Sequence, residues 1–224
     1  MVTSVSGMSP TPDLTAAAGV IEAISRVVGK ATRNLAALGG PDTQQVLAYD
    51  VAHASAALHT ARSMLDYGAK GNDEAMLTCV FVADMAHEVA TRILGRESMW
   101  GVDSGALAAN LQFITTWRDP AVVADLAEVA GPRHLDDEYE MVQDTFRSFA
   151  VKEIAPRAEH VHRHNTDVPE EIISGLAEIG AFGLSVPSEY GGFSEGGDGE
   201  YMASCIATEE LSRASLGIGG SLID

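Results

Sequence analysis

Apolar residues recur at every third or fourth position along most of the chain, which is the period of an amphipathic α-helix. The first such stretch runs from Leu14 to Leu38, and Gly39-Gly40-Pro41 ends it. A second stretch, Leu47 to Leu65, has the narrow apolar stripe of helices that pack in a bundle. A third, about Glu74 to Leu94, is apolar on most sides. These patterns predict a helical bundle with the third helix at its buried centre.

Local signals mark the ends of several predicted helices. Asp42 or Thr43 is expected to cap the second helix, and Asp119 to cap a short helix that starts with Pro120. Pro156 should kink its helix or end the regular part, because proline lacks the backbone N–H and clashes with the preceding turn. Gly180 is expected to end a further helix.

Gly131-Pro132 is the best candidate for a domain boundary, since a loop dipeptide is followed there by the charged run Asp136-Asp137-Glu138. We therefore predict an all-α fold with two parts. A helical-bundle extension covers residues 1–132, and a second helical domain covers residues 133–224.

The net charge of −18 is shared unevenly between the two parts. Residues 1–132 contain 8 basic and 14 acidic side chains, a balance of −6, and residues 133–224 contain 6 and 18, a balance of −12. So acidic a surface repels polyphosphate backbones, which argues against nucleic-acid binding. We find no apolar run long enough to cross a membrane. We also find no signal peptide, and we expect a cytoplasmic protein in which Cys79 and Cys205 are free, buried thiols.

Several motifs of the second domain follow one another in a characteristic order. They are the helical segment 149–158 with Glu153 and Pro156, then Gly183, Pro187, Tyr190-Gly191-Gly192 and Glu209-Glu210-Leu211. In this order and at these spacings they resemble the N-terminal helical domain of the flavin-dependent acyl-CoA dehydrogenases. The resemblance covers about residues 133–224.

Within that family the chain is most similar to the methylsuccinyl-CoA dehydrogenases. The likeness rests on the run from Thr208 to Arg213, on the glycine-rich segment 216–222, and on a helical extension ahead of the usual first domain. The resemblance implies an FAD-dependent oxidation of an acyl-CoA thioester, with an electron-transfer flavoprotein or similar acceptor and a homo-oligomeric enzyme. It also implies that the flavin site and the glutamate base come from later regions of the family. We accordingly expect no catalytic residue within these 224 residues and an inactive isolated chain.

The resemblance further places Gly219, Gly220 and Ile223 at the floor of the acyl cavity. Two glycines there would leave room for a branched or bulky acyl group. The alternative is that these glycines only end the preceding helix.

Two other groups could carry chemistry, and for both we favour a structural role. Glu209 and Glu210 are adjacent on a helix and point about 100° apart, so they cannot converge as a catalytic pair. We expect one to be solvated and the other to pair with Arg213. His160 and His164 have the spacing of metal ligands but no third ligand nearby in the sequence, so we predict a solvated helix end and no metal. A catalytically silent helical scaffold derived from the same domain remains the alternative to an enzyme.

Overall fold

The computed structural model describes residues 10–127 and 133–220, with the side chains of residues 198–200 left out. In these ranges the chain forms α-helices, short 3₁₀ turns and one isolated bridge between Pro187 and Ser194. The predicted all-α class is confirmed. Contacts divide the chain into two compact units, the second of which starts at Arg133. The predicted boundary dipeptide Gly131-Pro132 lies outside the described residues.

The first unit is a bundle built around three long helices. Its helices are α1 (Leu14–Ala37), α2 (Gln45–Gly68), α3 (Asn72–Ile93), α4 (Glu97–Trp100), α5 (Leu111–Trp117) and α6 (Pro120–Ala127). Helix α3 packs against both α1 and α2 and carries residues such as Cys79, Val82 and Val89 at 0–2% exposure. This confirms its predicted place at the buried centre. On α2 the buried Asp50 accepts a hydrogen bond from Arg92 of α3 at 2.6 Å, which ties the two helices together.

Of the predicted caps in this unit, one is confirmed and one is wrong. Asp119 accepts a hydrogen bond from the Ala121 N–H at 2.8 Å, as an N-cap does. Thr43 does not cap α2, whose N-cap is Gln44 without a side-chain bond. The Thr43 hydroxyl instead donates to carbonyl oxygens of the preceding turn, Leu38 and Gly40. The hydroxyl thus stabilises the end of the loop and not the start of the helix.

Five further α-helices lie in residues 133–220 of the second unit. They are α7 (Asp137–Phe149), α8 (Ala155–His164), α9 (Glu170–Glu178), α10 (Asp198–Ala214) and α11 (Leu216–Gly219). Helices α7 and α10 pack along each other, and apolar residues of α7, α9, α10 and α11 form the core. The central core residues are Phe146, Ile172, Leu176, Leu211 and Ile218. Gly180 has φ +79° directly after α9, which confirms it as the helix end.

Helices α7 and α8 are joined by a π-helical turn, Ala150–Ile154. In this wider turn the Ala155 N–H bonds to the Ala150 carbonyl. Pro156 has no N–H to donate to this turn, and the Glu153 carbonyl accepts a hydrogen bond from the Arg157 guanidinium at 2.7 Å. The regular α-helix therefore ends at Phe149, as predicted from Pro156. The backbone stays helical through the π-helical turn and into α8.

Candidate functional site

The most unusual group of the second unit is the carboxylate of Glu210 on α10. Its side chain is fully buried at 0% exposure. Arg147 of α7 donates to both carboxylate oxygens, from Nε at 3.1 Å and from Nη2 at 2.8 Å. Gln143, one turn earlier on α7, donates from Nε2 at 3.0 Å. Burial of a carboxylate is costly unless it is paired and hydrogen-bonded, and here both oxygens are satisfied.

Two more arginines surround this carboxylate. Arg213 lies 3.3 Å from Glu210 and Arg133 lies 3.6 Å from it. The hydrogen bonds from Arg147 are the main reason why the pKa of Glu210 is lowered from its ordinary value, with the charges of the three arginines adding to the effect. Glu210 is therefore ionised at neutral pH. A carboxylate held by Arg and Gln donors on both oxygens is a structural group and a poor proton acceptor.

Glu209 has a different environment from its neighbour. It receives two hydrogen bonds from Arg133, at 3.0 and 2.5 Å, and one from Arg213 at 3.0 Å. Its side chain stays 48% exposed. The predicted pairing of Glu210 with Arg213 is confirmed, whereas the expectation of a merely solvated partner is wrong because Glu209 is ion-paired as well.

The segment predicted to line an acyl cavity follows directly on α10. Ser215 caps α11, since its hydroxyl oxygen accepts from the Ile218 N–H at 3.3 Å. Gly219 is buried against α10, and a Cβ there would lie 2.6 Å from the Leu211 carbonyl carbon. Gly220 follows with φ −69°, and its Cβ would lie 2.9 Å from the Leu216 carbonyl oxygen. Ile223 lies outside the described residues. Glycine at 219 thus serves a close helix contact, whereas the substrate role of this segment stays a prediction.

The Tyr190-Gly191-Gly192 motif closes a compact loop ahead of α10. Gly191 has φ +85°, which favours glycine, and Gly192 packs so closely that a Cβ would lie 1.9 Å from the Val186 carbonyl oxygen. The Ser194 N–H bonds to that same carbonyl at 2.9 Å. Both positions therefore require glycine for reasons of backbone geometry. A cleft of about 670 Å³ lies beside the loop and is lined by apolar and acidic side chains of α7, the loop and α10.

Other predicted groups have simple structural environments. The rings of His160 and His164 stack with centroids 4.4 Å apart at the end of α8. Within residues 10–127 and 133–220, no three His, Cys, Asp or Glu side chains come together as a metal site would require.

Both cysteines are free, but Cys205 is exposed, so the prediction that both cysteines are buried is wrong for Cys205. Burial raises the pKa of the Cys79 thiol. Among the described residues, no helix combines the length and apolar character that a membrane span requires.

The sequence interpretation missed Gln143, Arg147 and Arg133 as partners of the glutamates. A signal for two of them existed. Gln143 and Arg147 are four positions apart, so they lie on the same side of α7, and both are next to its apolar stripe. Polar side chains at the edge of a buried apolar stripe need hydrogen-bond partners. That Glu210 is this partner became evident only from the packing of α7 on α10.

Comparison with known proteins identifies the second unit. Residues 136–223 match the family model of the acyl-CoA dehydrogenase N-terminal domain. The chain is 44% identical over 90 residues to a (2S)-methylsuccinyl-CoA dehydrogenase of Cereibacter sphaeroides, covering 40% of this chain and 16% of that protein. It is 39% identical over 82 residues to a glutaryl-CoA dehydrogenase of Desulfococcus multivorans, covering 37% and 21%. It is 36% identical over 86 residues to an isovaleryl-CoA dehydrogenase of Solanum tuberosum, covering 38% and 20%.

The aligned part therefore spans about a fifth of the length of these relatives, or less. The resemblance that the motifs indicated is confirmed for this part of the chain.

Proposed function

We propose that this chain, whose residues 136–223 are an acyl-CoA dehydrogenase N-terminal domain, is the N-terminal part of a flavin-dependent enzyme that oxidises an acyl-CoA thioester. The substrate in this proposal is methylsuccinyl-CoA or another branched or dicarboxylic acyl-CoA. The enzyme is cytoplasmic and homo-oligomeric, and it passes electrons to an electron-transfer flavoprotein or a similar acceptor. The observation that carries the proposal is the 44% identity to a methylsuccinyl-CoA dehydrogenase.

The lengths of the relatives support the same choice. The 90 aligned residues are 16% of the methylsuccinyl-CoA dehydrogenase, whereas 82 aligned residues are 21% of the glutaryl-CoA dehydrogenase. The former protein is therefore longer by at least the length of our first unit. A helical extension such as residues 10–127 is the kind of addition that would account for that difference.

FAD, when bound, would accept the hydride from the substrate, and the second unit has no unpaired Lys or Arg side chain for its diphosphate. All six Lys and Arg side chains of this unit are described, and each lies within 3.4 Å of a carboxylate of the same unit. A diphosphate would have to share each of these cations with a carboxylate, although the exposed pairs are held by at most about 1 kcal/mol each. In our proposal the flavin, the CoA phosphates and the catalytic base are held by parts of the enzyme outside these 224 residues. The second unit contributes α11 and the helices that hold it in place.

The 224-residue chain by itself is therefore expected to bind no FAD and to oxidise no acyl-CoA. The measurement is a visible absorption spectrum of the purified chain after incubation with FAD and gel filtration, with a dye-reduction assay beside it. A stoichiometric flavin band, or dye reduction that depends on methylsuccinyl-CoA, would contradict this assignment of the cofactor site.

The enzyme itself is tested with the longest open reading frame that contains this sequence. That protein should carry a flavin and reduce an artificial acceptor with methylsuccinyl-CoA. A reading frame that stops after Asp224 would favour the alternative, a non-catalytic helical scaffold. The paired ionic groups of the second unit are compatible with that role too, since they stabilise helix packing without any chemistry.

In the full enzyme, Gly220→Leu is expected to lower kcat/KM for a branched acyl-CoA roughly 5- to 150-fold more than for a short straight one. A bulky side chain in the acyl cavity would overpack the larger substrate, at about 1–3 kcal/mol. Gly220 has φ −69°, so the variant requires no left-handed backbone, but its Cβ would lie 2.9 Å from the Leu216 carbonyl oxygen, and a thermal melt has to accompany the assay. Gly217→Leu is the matched control, because a Cβ at Gly217 meets nothing within 4 Å. Equal treatment of both substrates by a folded Gly220 variant would remove Gly220 from the acyl site.

A further inference from the structure

We infer that Glu210 is a positioning residue for α11, and that it sets the place of Gly219 and Gly220 through a single turn of α10. The inference concerns the geometry of this chain. Only its consequence for substrate binding rests on the proposed function.

The first link is the attachment of α10 to α7. Gln143 and Arg147 lie one helical turn apart on α7, and both donate to the same buried carboxylate, at 3.0 Å and at 2.8 and 3.1 Å. A slide of α10 by one residue along α7 would remove Glu210 from both donors. The buried charge would keep Arg213, which lies on the same helix, but would lose all three hydrogen bonds from α7. Apolar contacts tolerate small slides more readily, because the hydrophobic effect is not directional.

The second link runs from Glu210 to the residue next to it. Leu211 is buried at 0% exposure, and its carbonyl oxygen accepts from the Ser215 N–H at 3.1 Å. The Ser215 carbonyl then accepts from the Gly219 N–H at 2.7 Å. Ser215 itself is extended, with φ −164° and ψ 115°, so α11 leaves α10 at this residue. Two backbone hydrogen bonds thus connect Leu211 to Gly219.

The third link is a direct contact across this turn. The Cα of Gly219 approaches Leu211 so closely that a Cβ would lie 2.6 Å from the carbonyl carbon and 2.7 Å from the oxygen. Ile218, at 1% exposure, fixes the other face of α11 in the core. The start of α11 is held by the Ser215 cap and its end by Leu211. A shift of the α10 backbone at Glu210 and Leu211 therefore moves Gly219 and Gly220 with it.

The test is hydrogen exchange of the 224-residue chain, resolved to the amides of Gly219 and Gly220, which bond to the Ser215 and Leu216 carbonyls. We expect Glu210→Gln to increase exchange at these two amides roughly tenfold, the factor that corresponds to the loss of one charge-assisted hydrogen bond. Amides in the middle of α9 that exchange by local opening, without unfolding of the whole unit, should keep their protection, because the change is confined to α10 and α11. Glu153→Gln is the matched control, since Glu153 is also paired with an arginine, Arg157, at 3.0 Å, but this partner lies four positions along the chain and on neither α10 nor α11.

A second variant decides the question if Glu210→Gln fails to fold. Arg147→Lys keeps the positive charge and loses the paired geometry of the guanidinium, while Gln143 and Arg213 continue to hold the carboxylate. It should increase exchange at the same two amides by a smaller factor. Unchanged exchange at Gly219 and Gly220, or an equal increase throughout the second unit, would overturn the positioning role in either variant.

The kinetic consequence is separable from this result. In an enzyme that contains this chain, Glu210→Gln should raise KM for the acyl-CoA more than it lowers kcat, since the reacting groups are untouched. If exchange at α11 changes and KM does not, the positioning role stands and the assignment of Gly219 and Gly220 to the acyl site is wrong. If KM changes without any change in exchange, the positioning role is wrong.

Discussion

Glu210→Ala is expected to destabilise the second unit by about 3 kcal/mol. The variant removes a carboxylate that accepts three hydrogen bonds from Gln143 and Arg147 at 2.8–3.1 Å. It also leaves a cavity at a site with 0% exposure and three arginines without their shared counter-charge. Glu210→Gln should cost about half as much, because it keeps the shape and part of the hydrogen bonding. Calorimetry is the suitable measurement, since both tryptophans lie in the first unit.

Glu209→Gln is the matched control for this variant. Glu209 neighbours Glu210 on the same helix and pairs with two of the same arginines, but its side chain is 48% exposed. Exposed ion pairs contribute at most about 1 kcal/mol, so the control should unfold close to the parent chain. If Glu209→Gln and Glu210→Gln lowered the free energy of unfolding equally, burial would not be the reason why Glu210 stabilises the unit.

The effect of Glu210 should also depend on pH in a defined direction. Its pKa is lowered in the folded state from an ordinary value of 4.5, mainly by the hydrogen bonds from Arg147. The unfolded chain therefore takes up a proton at higher pH than the folded one. The stabilisation is complete above that ordinary pKa and is lost as the pH falls through the lower, folded pKa. The difference in stability between the parent chain and Glu210→Gln should shrink over that acidic range. A constant difference down to the folded pKa would contradict the lowered pKa.

Gly192→Ala is the other substitution with a large expected effect, about 3 kcal/mol or more. The new Cβ would lie 1.9 Å from the Val186 carbonyl oxygen and 2.5 Å from its carbon, so the backbone itself has to move. That carbonyl accepts the Ser194 N–H at 2.9 Å, and the movement would break this bond and open the loop before α10. A fall in the melting temperature and faster proteolysis between residues 183 and 197 are the expected readouts.

Gly191→Ala separates this clash from ordinary backbone strain. Gly191 has φ +85°, but a Cβ there meets nothing within 4 Å. Its replacement by alanine should lower stability by about 1 kcal/mol, the cost of a left-handed backbone for a residue with a side chain. If the two variants lost equal stability, the close approach at Gly192 would be of no consequence and the loop would be held by turn geometry alone.

The sequence by itself determined those features whose cause is local. Helical periodicity identified the long helices α1 to α3, and Asp119 and Gly180 marked helix ends because caps and left-handed glycines act within a few residues. Pro156 indicated the end of the regular helix for the same reason. The family resemblance also came from the sequence, since its motifs are short and their order is preserved along the chain.

The tertiary structure alone decided which residues meet. Glu210 and Arg147 are 63 positions apart, and although helical spacing places Glu210 beside the apolar stripe of α10, it does not tell which helix supplies the donors. The structure also showed that Thr43 bonds back to the preceding turn and that Cys205 is exposed. The need for glycine at 219 arises from the distance between two backbones, which periodicity does not contain. Hydrophobic patterns specify faces of helices, whereas the partner across each face is set by the packing of the whole unit.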